Sequence, residues 1–416
     1  MSNNEALHQR RAGAYENVVD ICLYGGVVLF LLGFYVLPEK SAVKTVFYLL
    51  VLLPVLLKLM PPIGETLPLL IPSVSSALAF CLYMASSLFW GADDWHDSWF
   101  HFYKQVVAIL AWLTACVWVA RNAPVLFDLL PKLIVWTGTV ITAATMAAYF
   151  SEPGAPWTRM SGLGAIDNEL IAAHCMGSAG ILAYGTGRKE FPDRTFNPYF
   201  WAAAFTYCGV LLTQSRGPMA YMPLVLLIAL FLYRTPSRQL LLKLGAGSLL
   251  LLTLVVVYPH LSPGIEQRGL SYRDVIWTHV FAEFSTAPIR GIGISEHARV
   301  VVGGIDTSHS HNSWLDIMRF GGLIGLGLSL WHLAACFRNW RRYHEYTHVY
   351  LWFIFGCLSA FTNGKCFLSN PGWIWLYYWM PVGLICGIQA SRQAGCGESA
   401  QSSNSSPTRS VRPSRA

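Results

Sequence analysis

The chain has 416 residues, of which 54% are hydrophobic and only 12% charged. A soluble domain carries about 25% charged residues, so the deficit excludes an ordinary soluble fold and places most of the chain in lipid, where each charge is costly. The net charge of +7 requires no nucleic-acid partner, because the basic residues gather in alternate loops along the chain.

A bilayer core takes about 20 apolar residues per helix. Runs of that size fall at 19–37, 42–60, 68–90, 102–120, 127–149, 163–184, 196–213, 217–233, 240–259, 313–337, 347–366 and 373–390. They predict an all-α, polytopic integral membrane protein of about twelve transmembrane helices. Pro61-Pro62, Gly91 to Asp94 and Pro371-Gly372 punctuate the runs, as turn residues do. Residues 1–18 read as a polar cytoplasmic segment and 19–390 as the membrane domain. Residues 391–416, rich in Ser, Arg and Pro, read as a disordered cytoplasmic tail. The polar start followed by a full-length apolar run predicts an uncleaved anchor. The 16 tryptophans suit interfacial belts. The ten cysteines are scattered, with no CxxC pair, so neither a disulfide framework nor a zinc site is expected.

Orientation follows the lysines and arginines. With both termini in the cytoplasm, the cytoplasmic loops hold Lys58, Arg121, Arg188, Lys189, Arg234, Arg341 and Arg342. The opposite loops hold Asp93, Asp94 and Asp97. The exceptions on the outer side are Arg159, Arg216, Arg268, Arg273, Arg290, Arg299 and Lys365. Cations gathered on the side that normally avoids them point to an anionic ligand.

The outer loop 260–312 is too polar to span the membrane and too long for a plain connection. Ser271 to Asp274 reads as a capping box. Ile276, Trp277, Val280, Phe281 and Phe284 then share one helical face, which predicts an amphipathic helix lying on the membrane surface. Pro288 ends it. Gly291, Gly293, Gly303 and Gly304 predict a flexible stretch. Ser308-His309-Ser310-His311-Asn312 closes the loop at the next membrane helix.

His311-Asn312, nine residues, then Gly322-Leu323-Ile324-Gly325 resembles the signature of bacterial O-antigen ligases. That group also includes O-antigen polymerases and protein O-oligosaccharyltransferases. Ser215-Arg216-Gly217, Arg273 to Trp277 and Pro288 to Gly293 resemble further motifs of the same family. The specific likeness covers about residues 205–330. It implies a glycosyltransferase in the bacterial inner membrane with its active site on the periplasmic side. Its donor would be a glycan on undecaprenyl pyrophosphate and its acceptor a sugar hydroxyl of lipid A–core. The resemblance implies neither a cofactor nor a metal, and no partner beyond these substrates and membrane lipids.

The residue chemistry fits that reaction. Leaving pyrophosphate gathers negative charge, and arginine binds phosphate with a two-pronged fork. Arg216 and Arg273 are the expected clamp, with Arg290 a third candidate. A sugar hydroxyl attacks once a base takes its proton, and histidine is suited to that. His311 is the expected base, Asn312 its partner or the sugar's, and His309 a neighbour. Gly322 and Gly325 are expected to allow close helix approach. Lys365 and Asn370 stand at outer helix ends as candidate acceptor contacts.

Two other readings are open. A polymerase would use the same donor with a lipid-linked glycan as acceptor. A flippase or other twelve-helix transporter would show an internal repeat and charges at mid-membrane, and neither is visible in the sequence.

Overall fold

The computed structural model describes residues 3–91, 95–155, 157–233, 272–295, 297–338 and 340–404, with side chains omitted for 3–12, 95, 97 and 392–404. The apolar run at 240–259, Arg268 and Ser271 lie outside the described residues.

The chain is an all-α polytopic membrane protein. Six helices among the described residues are each long and apolar enough to cross a membrane. In chain order the helices begin with α1 (Asn3–Val36), α2 (Lys40–Phe47) and α3 (Leu53–Leu59), the last two joined through a π turn. Next come α4 (Pro72–Ser86), α5 (Leu88–Gly91), α6 (Trp95–Asn122) and α7 (Pro124–Phe150). Then follow α8 (Glu169–Glu190), α9 (Pro198–Leu212), α10 (Arg216–Leu232) and α11 (Arg273–Thr286). The last are α12 (Ser313–Phe337), α13 (Thr347–Ser359), α14 (Trp373–Tyr377) and α15 (Trp379–Asn404).

Two boundaries differ from the sequence expectation. The first helix begins at Asn3 rather than near residue 19, and the last runs to Asn404 rather than ending near 390. Both flanks are polar but rich in helix-forming Ala, Gln, Glu and Arg, so propensity carries the helices past the apolar runs.

Helix α8 is the hub. Every residue from Ile171 to Ala183 is buried, as expected of a helix enclosed on all sides. Small residues make this possible. A Cβ on Gly180 would lie 2.4 Å from Met222 and 2.5 Å from Thr206, and one on Gly185 would meet His348 at 2.4 Å. Helices α7, α9, α10 and α13 pack around it.

The loops fall into two groups. At one end Lys58 pairs with Asp20 at 2.6 Å, Lys132 pairs with Glu190, and Tyr346 donates to Asp128 at 2.8 Å. At the other end Lys40 pairs with Asp167 at 2.5 Å, and Ala165 N donates to the Leu37 carbonyl. The charge alternation assigns these same loops to opposite faces. The second group, here called the site end, carries the loop before α12.

The described part of that loop, from residue 272 onward, is folded rather than flexible. The apolar face of α11 (Ile276, Val280 and Phe284) is buried, and Ile276 and Val280 pack on Val300, Val302, Ile305 and Leu315. This corrects the expectation of a helix lying on lipid: its main apolar stripe is used against protein, and Phe281 alone of the expected face is exposed. The helix also starts differently. Its N-cap is Tyr272, in a left-handed conformation and without a side-chain cap; the capping box expected from Ser271 falls outside the described residues. Val300–Val302 (β1) and Ile305–Thr307 (β2) form an antiparallel hairpin pairing Val300 with Thr307 and Val302 with Ile305. Gly303 (φ 58°) and Gly304 (φ 79°) are its turn, a geometry that needs positive φ twice.

Gly322 breaks α12. It has φ 61° and ψ −158°, and the segment 288–293 fills the gap. Leu323 N donates to Pro288 O (2.8 Å), Ile324 N to Ile289 O (3.1 Å), Ile292 N to Arg319 O (2.9 Å) and Gly293 N to Phe320 O (3.0 Å). Tyr83 Oη donates to Gly321 O at 3.0 Å. The backbone groups freed by the break are thereby satisfied, as burial demands. A Cβ at Gly322 would sit 2.4 Å from Gly291 N and Ile289 O. Gly322 thus admits a strand-like segment rather than a second helix, and Gly291 and Gly293 are wedged rather than loose. Gly325 faces Met84, where a Cβ would stand 3.2 Å from the sulfur.

Candidate active site

The turn between α9 and α10 presents Arg216. Thr213, Gln214 and Ser215 are buried, and Gln214 adopts φ 54°. Arg159 braces the turn: its Nε donates to Thr213 O at 3.2 Å and its Nη2 to Ser215 Oγ at 3.4 Å. Arg159 Nη1 also lies 3.7 Å from Glu169. Arg216 follows as the first residue of α10 and is exposed.

Arg273 is likewise the first residue of its helix, half-buried. Burial pushes its guanidinium down from the ordinary value, Tyr221 pushes the other way, and the charge of Arg216 adds to the fall. Two arginines separated by 57 positions in sequence therefore feel each other directly. Neither α10 nor α11 has a side-chain cap, so the positive ends of two helices support the same field.

His311 lies within reach of this pair. Burial and then Arg273 hold its imidazole below the ordinary 6.5. The His309 ring is 4.2 Å away, centre to centre. Burial, His311 and Lys365 push His309 down to about 4. Both rings are therefore neutral at neutral pH, and a neutral imidazole has a nitrogen able to accept a proton. Arg216, Arg273, His309, His311 and Lys365 thus share one neighbourhood, with Tyr221 on α10.

Arg290 stands elsewhere. It is exposed, its carbonyl accepts from Tyr83 Oη at 3.2 Å, and its charge is felt by Tyr83 rather than by the histidines. Asn312 is also otherwise occupied: its side chain caps α12 by accepting from Leu315 N at 3.1 Å. Arg299 pairs with Asp306 across the hairpin at 2.5 Å.

Arg319 escapes the sequence reading because it lies within an apolar run. It is 2% exposed, its Nε is 2.8 Å from Glu283 Oε2, and Nη2 donates to Glu283 Oε1 and to Arg299 O, both at 3.1 Å. This pair locks α11 onto α12 and so sets where Arg273 stands. Its only sequence signal is a lone arginine inside a membrane run, eight residues after His311.

Residues 201–330 match the family described as O-antigen ligase. An O-antigen ligase of Pseudomonas aeruginosa is 28% identical over 376 residues, covering 87% of this chain and 89% of that protein. Over that stretch the chain is similar to the O-antigen ligases. Every residue gathered at the site except Lys365 falls within the matched stretch, and the likeness together with the apolar helices supports a multi-pass membrane enzyme. No solved structure matches.

Proposed function

We propose that the enzyme ligates O-antigen polysaccharide from undecaprenyl pyrophosphate to a sugar hydroxyl of lipid A–core, at the periplasmic face of the inner membrane. The observation that carries this is the meeting of Arg216, Arg273 and His311 from three separate segments at one end of the bundle.

In this reading the acceptor hydroxyl gives its proton to the neutral imidazole of His311 as its oxygen attacks the anomeric carbon. The bond from that carbon to the pyrophosphate oxygen breaks. Arg216 and Arg273 take up the charge released on the phosphates, strongest when the fork geometry is met. Binding of the pyrophosphate also offsets the Arg273 charge that, after burial, holds the imidazole down, so the base strengthens when the donor is in place. Lys365, beside His309, suits the acceptor's side of the site. The same cluster serves a polymerase equally well, since the donor is shared, so the acceptor must be read by experiment.

The test is expression in a bacterium that lacks its own O-antigen ligase but makes the donor. The proposal expects a polymer ladder on lipopolysaccharide with the natural sequence and none with His311→Ala. A ladder confined to the lipid carrier points to the polymerase, and no extension of either acceptor removes the proposal.

A further inference from the structure

His311 itself adopts φ 56°, a left-handed conformation that side chains other than glycine seldom take. Such a residue persists only where its surroundings fix it, and the strain is commonly stored at a working site. Its two neighbours supply the restraint. Ser310 is fully buried, and its hydroxyl bridges across His311: Oγ donates to Asn312 O at 2.7 Å and accepts from Asn312 N at 3.1 Å. Ser310 N donates to Asp316 Oδ1 at 3.2 Å, from the first turns of α12. Ser310 O accepts from Trp277 Nε1 at 3.0 Å. All polar groups of this serine are thus engaged, one direction to α12, one to α11 and one around His311.

We propose that Ser310, held by Trp277 and Asp316, is the positioning residue that fixes His311 in its left-handed conformation beside the arginine pair. Trp277 stands one helical turn from Arg273 on α11, so the same helix that carries a phosphate-binding arginine also anchors the base. The phosphate side and the base side of the site are thereby tied to one rigid element. This rests on the reading of His311 as the base.

The test uses the full-length enzyme in proteoliposomes with carrier-linked donor and lipid A–core, comparing Ser310→Ala and Trp277→Phe with the natural sequence. Small misplacement of a catalytic group costs on the order of 100-fold. Ser310→Ala is expected to lose about 10- to 100-fold in kcat at unchanged donor KM, and Trp277→Phe several-fold. The titratable groups around His311 are His309 on its own loop and Arg273 on α11; behind them, Arg216 and Tyr221 on α10 act on Arg273, Lys365 after α13 acts on His309, and Asp316 on α12 holds Ser310. A ring released from Arg273 regains basicity, so the acid limb of the kcat/KM profile, which reports the free enzyme, moves to higher pH in both variants. A purely structural role would leave that limb in place. Unchanged kcat, or a fall in kcat with the limb unmoved, overturns the proposal. If Ser310→Ala fails to fold, Trp277→Phe alone decides by the same criteria. An active His311→Ala removes the underlying base assignment. An inactive His311→Ala beside a fully active Ser310→Ala removes only the positioning role.

Discussion

Two groups of arginines stand at the same end of the bundle, and what surrounds them differs. Arg319 meets Glu283, Arg299 meets Asp306, and Arg159 meets Glu169. The charge that acts most directly on Arg273 from another arginine is that of Arg216, with a phenol and a neutral imidazole as further neighbours. The first group satisfies its charge within the fold and serves as bracing. The second sets two like charges near each other, and an anion bound there would relieve their repulsion. The bracing arginines position the others: Arg159 supports the turn before Arg216, and Arg319 seats the helix that begins with Arg273.

If this contrast is correct, substitutions in the two groups fail in different ways. The largest effect is expected for His311→Ala, a loss of roughly 100- to 10,000-fold in transfer with the protein still inserted, read as initial rates in vitro. The natural enzyme should also keep its rate as pH falls through 6.5. Its imidazole is depressed below that value, so the neutral, proton-accepting form is lost only at lower pH. An acid limb above 6.5 contradicts the site geometry.

Arg319→Leu breaks the contrast from the other side. It removes the buried partner of the partly exposed Glu283 and is expected to cost about 1–3 kcal/mol of stability, seen as a lower Tm in detergent. An unchanged Tm with lost binding would move Arg319 into the substrate group. Arg216→Lys keeps the charge and loses the fork, so about a tenfold loss in kcat/KM with unchanged Tm is expected; equal rates would reduce the clamp to a point charge. Asn312→Ala removes the cap of α12 and is expected to cost about 1 kcal/mol of stability with a small effect on rate. A rate loss far beyond that, at unchanged Tm, would restore Asn312 to substrate contact.

The sequence exposes some of these features and hides others for physical reasons. Among the described residues the apolar runs fall on helices because lipid demands length and hydropathy together. Arg216 and Arg273 stand out because they depart from the charge alternation of the loops, and His311 because it precedes Asn312 and the spaced pair Gly322 and Gly325. Arg319 and Glu283 do not, since their meaning lies in a contact between segments 36 residues apart. The hairpin was readable: Val300 to Val302, a Gly-Gly pair and Ile305 to Thr307 form a two-residue turn signal, yet the glycines look like a loose tether when counted by composition. The break at Gly322 is hidden because the residues around it are apolar and helical in period, and only the segment 288–293 explains it. The amphipathic stripe of α11 is plain in sequence, but periodicity does not say whether lipid or protein covers it.

The most direct measurement is the affinity of undecaprenyl pyrophosphate for the purified protein with Arg273→Ala and, as control, Arg299→Ala. Both remove one arginine from the same loop. Loss of about tenfold or more in affinity for Arg273→Ala, with Arg299→Ala equal to the natural protein, is the predicted result. Equal affinities for all three proteins would contradict the assignment of the Arg216–Arg273 pair as the pyrophosphate site.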